Sequence, residues 1–121
     1  GEAVNIIFTP HLIPVSRGII STVYAKLNSS LDSCSLRQIY QDFYATEEFV
    51  QVALEGEMPE TKWVVGTNRC FLGVVVNGKM AVVVSVIDNL VKGAAGQAVQ
   101  NMNLLFELPE NTGLQQLGLY P

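Results

Sequence analysis

The sequence predicts an α+β fold, with a mixed, mostly antiparallel β-sheet and helices on one face. Three observations point there. Two long apolar runs, 71–76 and 79–87, are joined by Asn77-Gly78, a dipeptide suited to the type I′ turn of a β-hairpin. Helical periodicity occurs twice, over 36–44 and again from about residue 93, so the order of elements is strands, helix, strands, helix. No Gly-x-Gly-x-x-Gly follows any strand, which argues against a doubly wound nucleotide fold.

The elements follow in chain order. Residues 4–9 alternate Val4, Ile6 and Phe8 with Asn5, Ile7 and Thr9, a strand pattern that Pro10 closes near His11. Pro14 and Gly18 bracket an irregular turn carrying Ser16 and Arg17, and the β-branched and aromatic run 19–27 is a second strand. Residues 28–35 are rich in Ser, Asn and Asp, which compete for backbone hydrogen bonds and favour N-caps, so they introduce a helix over 36–44. Leu36, Ile39, Tyr40 and Phe43 share one side of it. A short strand is expected over 49–54, then an acidic loop through Glu60, then another short strand over 63–65. Both arms of the hairpin are apolar nearly throughout, so it needs cover on both faces, from helices on one and another protein surface on the other. The second helix starts near Gly93, with Ala98, Val99, Met102 and Leu105 at helical spacing. Pro109 ends it and leaves an irregular tail over 110–121.

A length of 121 residues suits one compact domain with a real core and leaves no room for a second. Apolar residues make up 49% and charged residues 15%, so part of the apolar surface is expected to meet another protein. The net charge is -4 and the seven basic residues are scattered singly, which offers no stripe for a phosphate backbone and excludes nucleic acid as a partner. The strongly apolar stretch 81–87 is too short to span a bilayer, so no membrane partner is expected. The first residues lack the basic and apolar regions of a signal peptide, and the chain reads as cytoplasmic. Cys34 and Cys70 are too few for a disulfide framework and fit no zinc spacing; both are expected to be reduced structural thiols, with no metal site.

Residues 88–100 are the most informative segment. Gly93, Ala94, Ala95 and Gly96 open a helix where longer side chains would raise propensity, so something approaches its first turn closely. Two causes fit: a ligand held by exposed backbone N–H groups, or tight packing of the helix on a sheet.

The run Asp88-Asn89-Leu90-Val91-Lys92-Gly93-Ala94-Ala95-Gly96-Gln97-Ala98-Val99-Gln100 resembles the segment that closes the C-terminal domain in the semialdehyde dehydrogenase superfamily. Its continuation, Asn101-Met102-Asn103-Leu104-Leu105 with Leu108-Pro109-Glu110 and Thr112-Gly113-Leu114, resembles the N-acetyl-gamma-glutamyl-phosphate reductase family. So does Phe8-Thr9-Pro10-His11-Leu12-Ile13-Pro14 followed by Ser16-Arg17-Gly18-Ile19. These motifs lie near opposite ends in the family's order, so the resemblance covers essentially the whole chain. It implies the fold of a glyceraldehyde-phosphate-dehydrogenase C-terminal domain, subunit pairing as a homo-oligomer (dimer or tetramer), and one wall of an active site. The implied reaction is reduction of N-acetyl-L-glutamyl 5-phosphate by NADPH to N-acetyl-L-glutamate 5-semialdehyde and phosphate, in arginine biosynthesis. It also implies a partner, the NADP-binding domain, against which residues 93–121 would lean. In that family a cysteine thiolate attacks the acyl phosphate and the thioester accepts hydride, with a histidine assisting proton transfer. Neither Cys34 nor Cys70 stands in that cysteine's sequence context, so the nucleophile is expected upstream and this chain alone is expected to be inactive.

His11 is the single histidine, but it matches the family's catalytic histidine poorly, and a structural or interface role is the favoured reading. Arg17 and Lys92 are the substrate-binding candidates. The fork of N–H donors on Arg17 suits a carboxylate or phosphate, or else a surface ion pair; Lys92 would attract the substrate phosphate, or else is simply solvated. Asn89, Gly93, Ala94 and Gly96 are the cofactor-binding candidates, because they resemble the part of the family that approaches the nicotinamide. Glu47, Glu48, Glu55, Glu57 and Glu60 form no pair of fixed geometry and read as a solvated rim. Tyr24, Tyr40, Phe43 and Trp63 suit core or interface packing. Two other readings stay open: the C-terminal domain of an aspartate-semialdehyde dehydrogenase, whose closing segment is similar to 88–100, and a non-catalytic dimerisation module.

Overall fold

The structure, a computed structural model, describes residues 5–119. Strand β1 (Ile19–Lys26) leads to helix α1 (Ser33–Phe43), then to the short strand β2 (Val50–Val52) and a 3-10 turn (Thr61–Trp63). The hairpin of β3 (Cys70–Asn77) and β4 (Met80–Ile87) follows, then a π-helical turn (Val91–Ala95) that runs directly into α2 (Gly96–Leu105). The sheet order is β1-β4-β3-β2; β1, β4 and β3 are antiparallel and β2 runs parallel to β3, so the sheet is mixed, as expected. No helix among the described residues is long and apolar enough to cross a membrane.

The hairpin forms with its turn one residue later than expected. Asn77 pairs with Met80, so the two-residue loop is Gly78-Lys79. Of the two only Gly78 has a positive φ, 60°, as a type II′ turn requires. Helix α1 begins at Ser33, earlier than the apolar period suggests, because Asp32 caps it: its Oδ1 accepts from the Ser35 N–H at 2.7 Å. Ser33 Oγ in turn accepts from the Val76 N–H at 2.9 Å, which fixes the helix start to β3. α2 ends without glycine, in a Schellman arrangement. Leu108 N donates to Asn103 O, Glu107 N donates to Leu104 O, and Glu107 itself turns the chain at φ 56°.

Cross-strand register assigns the faces. Leu72, Val74, Val83 and Ser85 share one, Gly73, Val75, Val82, Val84, Thr22 and Tyr24 the other. α1 packs on β2 and β3, and the buried core runs through Leu36, Leu72, Ala81 and Val83. The opposite face is covered at one place by the loop before the 3-10 turn. A Cβ on Gly73 would lie 2.5 Å from Pro59 Cδ, and Trp63 meets Phe71 edge-on at 5.5 Å. Elsewhere that face is open: β1 is exposed along its whole length and Tyr24 is 69% exposed.

Four expectations are corrected. Residues 5–15 form no strand, and Phe8 is 84% exposed; Val4 lies outside the described residues. Alternation makes a segment fit to be half buried, but a strand also needs a neighbour to complete its ladder, and among the described residues no strand pairs with this segment. Residues 63–65 are not a strand either. The Trp63 N–H bonds to Glu60 O and the Val64 N–H to Thr61 O, so the backbone is satisfied locally in a 3-10 turn. On α1 only Leu36 of the expected apolar side is buried and Tyr40 is half buried; Ile39 and Phe43 face outward. On α2 the buried residues are Gly96, Gln100 and Asn103, while Met102 and Leu105 point away, Leu105 being 82% exposed.

Candidate functional site

The site is built around Asp88, the residue after β4, which is completely buried. Its carboxylate accepts four hydrogen bonds. Oδ2 takes the Gly66 N–H at 2.6 Å and Arg17 Nε at 2.8 Å; Oδ1 takes the N–H groups of Leu90 at 2.8 Å and Val91 at 3.0 Å. Burial by itself would push this carboxyl's pKa up, but the Gly66 and Leu90 amides, the Arg17 guanidinium and the Val91 amide together hold it below the usual carboxylate range. One oxygen therefore caps the π-helical turn, while the other ties that turn to residues 17 and 66. Asn89 adds a parallel tie, its Oδ1 accepting from the Gly18 N–H at 2.8 Å.

The π-helical turn explains the small residues at the helix start. A Cβ on Gly96 would fall 2.7 Å from Val91 Cγ1 and 2.8 Å from Val91 O, and would also strike Asn68 Oδ1. On Gly93 it would meet Asp88 O at 3.2 Å and Ile87 Cδ1 at 3.5 Å. Close packing against β4 and against the buried Asn68 thus accounts for both glycines. The turn is still reachable, since Gly93, Ala94 and Ala95 are exposed. Ala95, Gly96 and Val99 form one wall of an open cleft of about 440 Å³; Arg17 and Gly66 lie on it too, and the tail from Gly113 to Leu119 faces them. We expect Gly96→Ala to destabilise the domain by about 1–3 kcal/mol, the usual cost of overpacking, as read by chemical denaturation; a neutral result would mean that the turn is not held this tightly.

The sequence-predicted residues are distributed as follows. Arg17 lies on the cleft, its Nε committed to Asp88 and its side chain 31% exposed. Asn89 does not line the cleft; its oxygen holds Gly18, next to Arg17. Gly96 lines the cleft, and Gly93 and Ala94 are exposed beside it. Lys92 is neither on the cleft nor simply solvated. Its Nζ donates to Gln100 Oε1 at 2.7 Å and stands 5.4 Å from the centre of the Phe49 ring. Burial lowers its pKa, against the opposing pull of Cys70, Glu110 and Glu47. His11 is exposed in the segment without regular structure, with Nδ1 3.1 Å from Thr9 O. Cys34 is exposed, and Cys70 is half buried with Sγ 3.4 Å from Ser85 Oγ. No group of three or more His, Cys, Asp or Glu side chains suited to a metal ion occurs among the described residues.

Three structural hubs escaped the sequence: Asp88 as an acceptor, and the buried Asn68 and Gln100. Asp88 left a signal, an Asp after an apolar run and just before a helical period, which is where a cap is expected. Asn68 and Gln100 left none. Among the described residues Arg17 is the single ionisable side chain on the cleft, so these residues can hold a flat apolar group with an anion beside it but bring no nucleophile and no general base.

Residues 1–89 match the family model described as semialdehyde dehydrogenase, dimerisation domain. Over its whole length the chain is similar to the N-acetyl-gamma-glutamyl-phosphate reductase of Pelotomaculum thermopropionicum, at 55% identity and 35% of that protein. It is also similar to the enzyme of the same name from Halothermothrix orenii, at 50% identity over 94% of this chain and 33% of that one. The chain therefore spans about a third of the length of the curated relatives it matches. Among solved structures, aspartate semialdehyde dehydrogenase II of Vibrio cholerae superposes with a TM-score of 0.63 at 22% identity, covering 78% of this chain and 29% of that one, which is a likeness of fold.

Proposed function

Because the chain belongs to the semialdehyde dehydrogenase dimerisation-domain family, we propose that it is the subunit-pairing and substrate-side part of a cytoplasmic N-acetyl-gamma-glutamyl-phosphate reductase. The observation that carries this reading is identity of 55% and 50%, across all or nearly all of the chain, to enzymes of that name. The reaction is reduction of N-acetyl-L-glutamyl 5-phosphate to the 5-semialdehyde with release of phosphate. The nucleophilic cysteine and most of the NADP site belong to a preceding domain.

The open apolar surfaces support this division of labour. Met102, Leu104, Leu105 and Phe106 are exposed together around the end of α2 and suit a partner domain. The uncovered sheet face around Tyr24 suits a second copy of the chain in a dimer or a tetramer. A wall without bulk at Ala95 and Gly96, with Arg17 beside it, supports placing the nicotinamide end of NADP in the cleft. Asn89 would act from outside the cleft wall, holding Gly18 beside Arg17. NADPH, when bound, would supply the hydride. Ala95, Gly96 and Val99 would hold the ring and keep water from one side of it, while Arg17 would offer its outer guanidinium nitrogens to the phosphate or carboxylate of the substrate. Lys92 serves this site from behind, through Gln100, and not by touching the phosphate.

The full-length enzyme tests the reading. Assayed for phosphate-dependent oxidation of semialdehydes, it is expected to favour N-acetylglutamate 5-semialdehyde over aspartate 4-semialdehyde by at least about 100-fold in kcat/KM. Equal or better use of the aspartate compound would overturn the assignment in favour of the aspartate-semialdehyde reading. No turnover of either would favour a pairing module without catalysis. The isolated chain is expected to be inactive with both.

A further inference from the structure

Gln100 lies on the buried face of α2 with Gly96 and Asn103, turned inward and only 7% exposed. Both ends of its amide are in use. Oε1 accepts from Asn68 Nδ2 at 2.8 Å and from Lys92 Nζ at 2.7 Å, and Nε2 donates to Glu110 Oε1. The three partners belong to three different segments: the loop before β3, the π-helical turn, and the tail beyond α2. Each of those segments supplies a wall of the cleft, through Gly66, Val91 and the stretch from Gly113 to Leu119. Gln100 itself does not line it.

The tail is fastened at both ends. One turn beyond Gln100, Asn103 is almost fully buried and its Nδ2 donates to Glu110 O at 3.0 Å and Thr112 O at 2.9 Å. At the far end the Leu119 N–H bonds to Val65 O at 2.9 Å. Between those points the described tail has no helix or strand to hold it across the cleft. An apolar side chain at position 100 would leave Asn68, Lys92 and Glu110 without the partner they share. A buried polar network of this kind selects one geometry, because a half-satisfied version is costly.

We propose that Gln100 is a positioning residue, which sets the width of the cofactor cleft by latching the tail to α2 through Glu110 and to the π-helical turn through Lys92. The inference rests on the reductase reading for its kinetic consequence but not for its structural one.

The test uses the full-length enzyme and two readouts. In Gln100→Leu, hydrogen exchange over 110–119 is expected to accelerate about tenfold or more while the β3-β4 hairpin stays protected. The KM for NADPH is expected to rise about tenfold with kcat changed less than about threefold, the pattern of lost binding. Glu110→Ala should reproduce both effects, and it carries the test if Gln100→Leu does not fold. Glu110→Gln keeps an acceptor for the Gln100 amide and should stay within about threefold of wild type in both. Unchanged exchange over 110–119 in either disruptive variant would overturn the proposal, as would protection lost across the hairpin as well. A wild-type enzyme that turned over neither semialdehyde would remove the reductase reading, and the exchange measurement would still decide the role of Gln100.

Discussion

Asp88→Ala is expected to lower stability by about 3–5 kcal/mol, the summed cost of leaving several donors without their acceptor. Three backbone N–H groups, those of Gly66, Leu90 and Val91, lose their acceptor at once. Arg17 is 31% exposed and can turn to water, so the backbone donors dominate the loss. Asp88→Asn keeps one oxygen but presents an N–H group to donors, and should recover only part of it. The pH dependence follows from the sign of the shift. The folded-state pKa is lowered, so the stabilisation is complete above the unfolded value of about 4 and is lost as pH falls from there through the folded value. Denaturation midpoints between about pH 3 and pH 7 should therefore converge between wild type and Asp88→Asn as the solution becomes acidic. A variant within about 1 kcal/mol of wild type at pH 7 would show that Asp88 does not organise the site. Activity should fall with it, because the same carboxylate holds Arg17 and the π-helical turn on the cleft.

Val82→Asp is expected to convert the oligomer to monomers, weakening association by at least about 100-fold. Val82 lies between Tyr24 and Val75 on the part of that sheet face which the loop before the 3-10 turn leaves open. It is only half buried, so a carboxylate there stays partly hydrated in the single chain and the fold survives. In a two-fold interface each substitution occurs twice, and both charges lose their water on pairing. Sedimentation of the full-length enzyme reads the outcome. An unchanged oligomer in the variant would place the interface elsewhere, and a wild type that remained monomeric at high concentration would remove it.

The hairpin and both helices were legible because their signals are local: unbroken apolar runs around a glycine turn, and a 3.6-residue period. Turn register was not, since pairing Asn77 with Met80 depends on the whole ladder and not on the dipeptide. The strand expected over 4–9 failed for the same reason, because alternation cannot supply a neighbour. On α2, period alone assigned Met102 and Leu105 to the core, whereas Gln100 and Asn103 occupy it. Those amides are stable there only because Glu110, Thr112 and Asn68 come to meet them.

By itself the sequence determined an α+β domain, apolar enough to need a second surface, with a helix start stripped of bulk at Gly93 to Gly96. Only the tertiary structure decided why that start is small, which face of α2 is buried, and which segments meet at Asp88 and at Gln100. The physical reason is range. Periodicity and capping act between residues a few positions apart, whereas the partner of a buried polar group is whichever segment folding delivers, and Arg17 reaches Asp88 across 71 positions of chain.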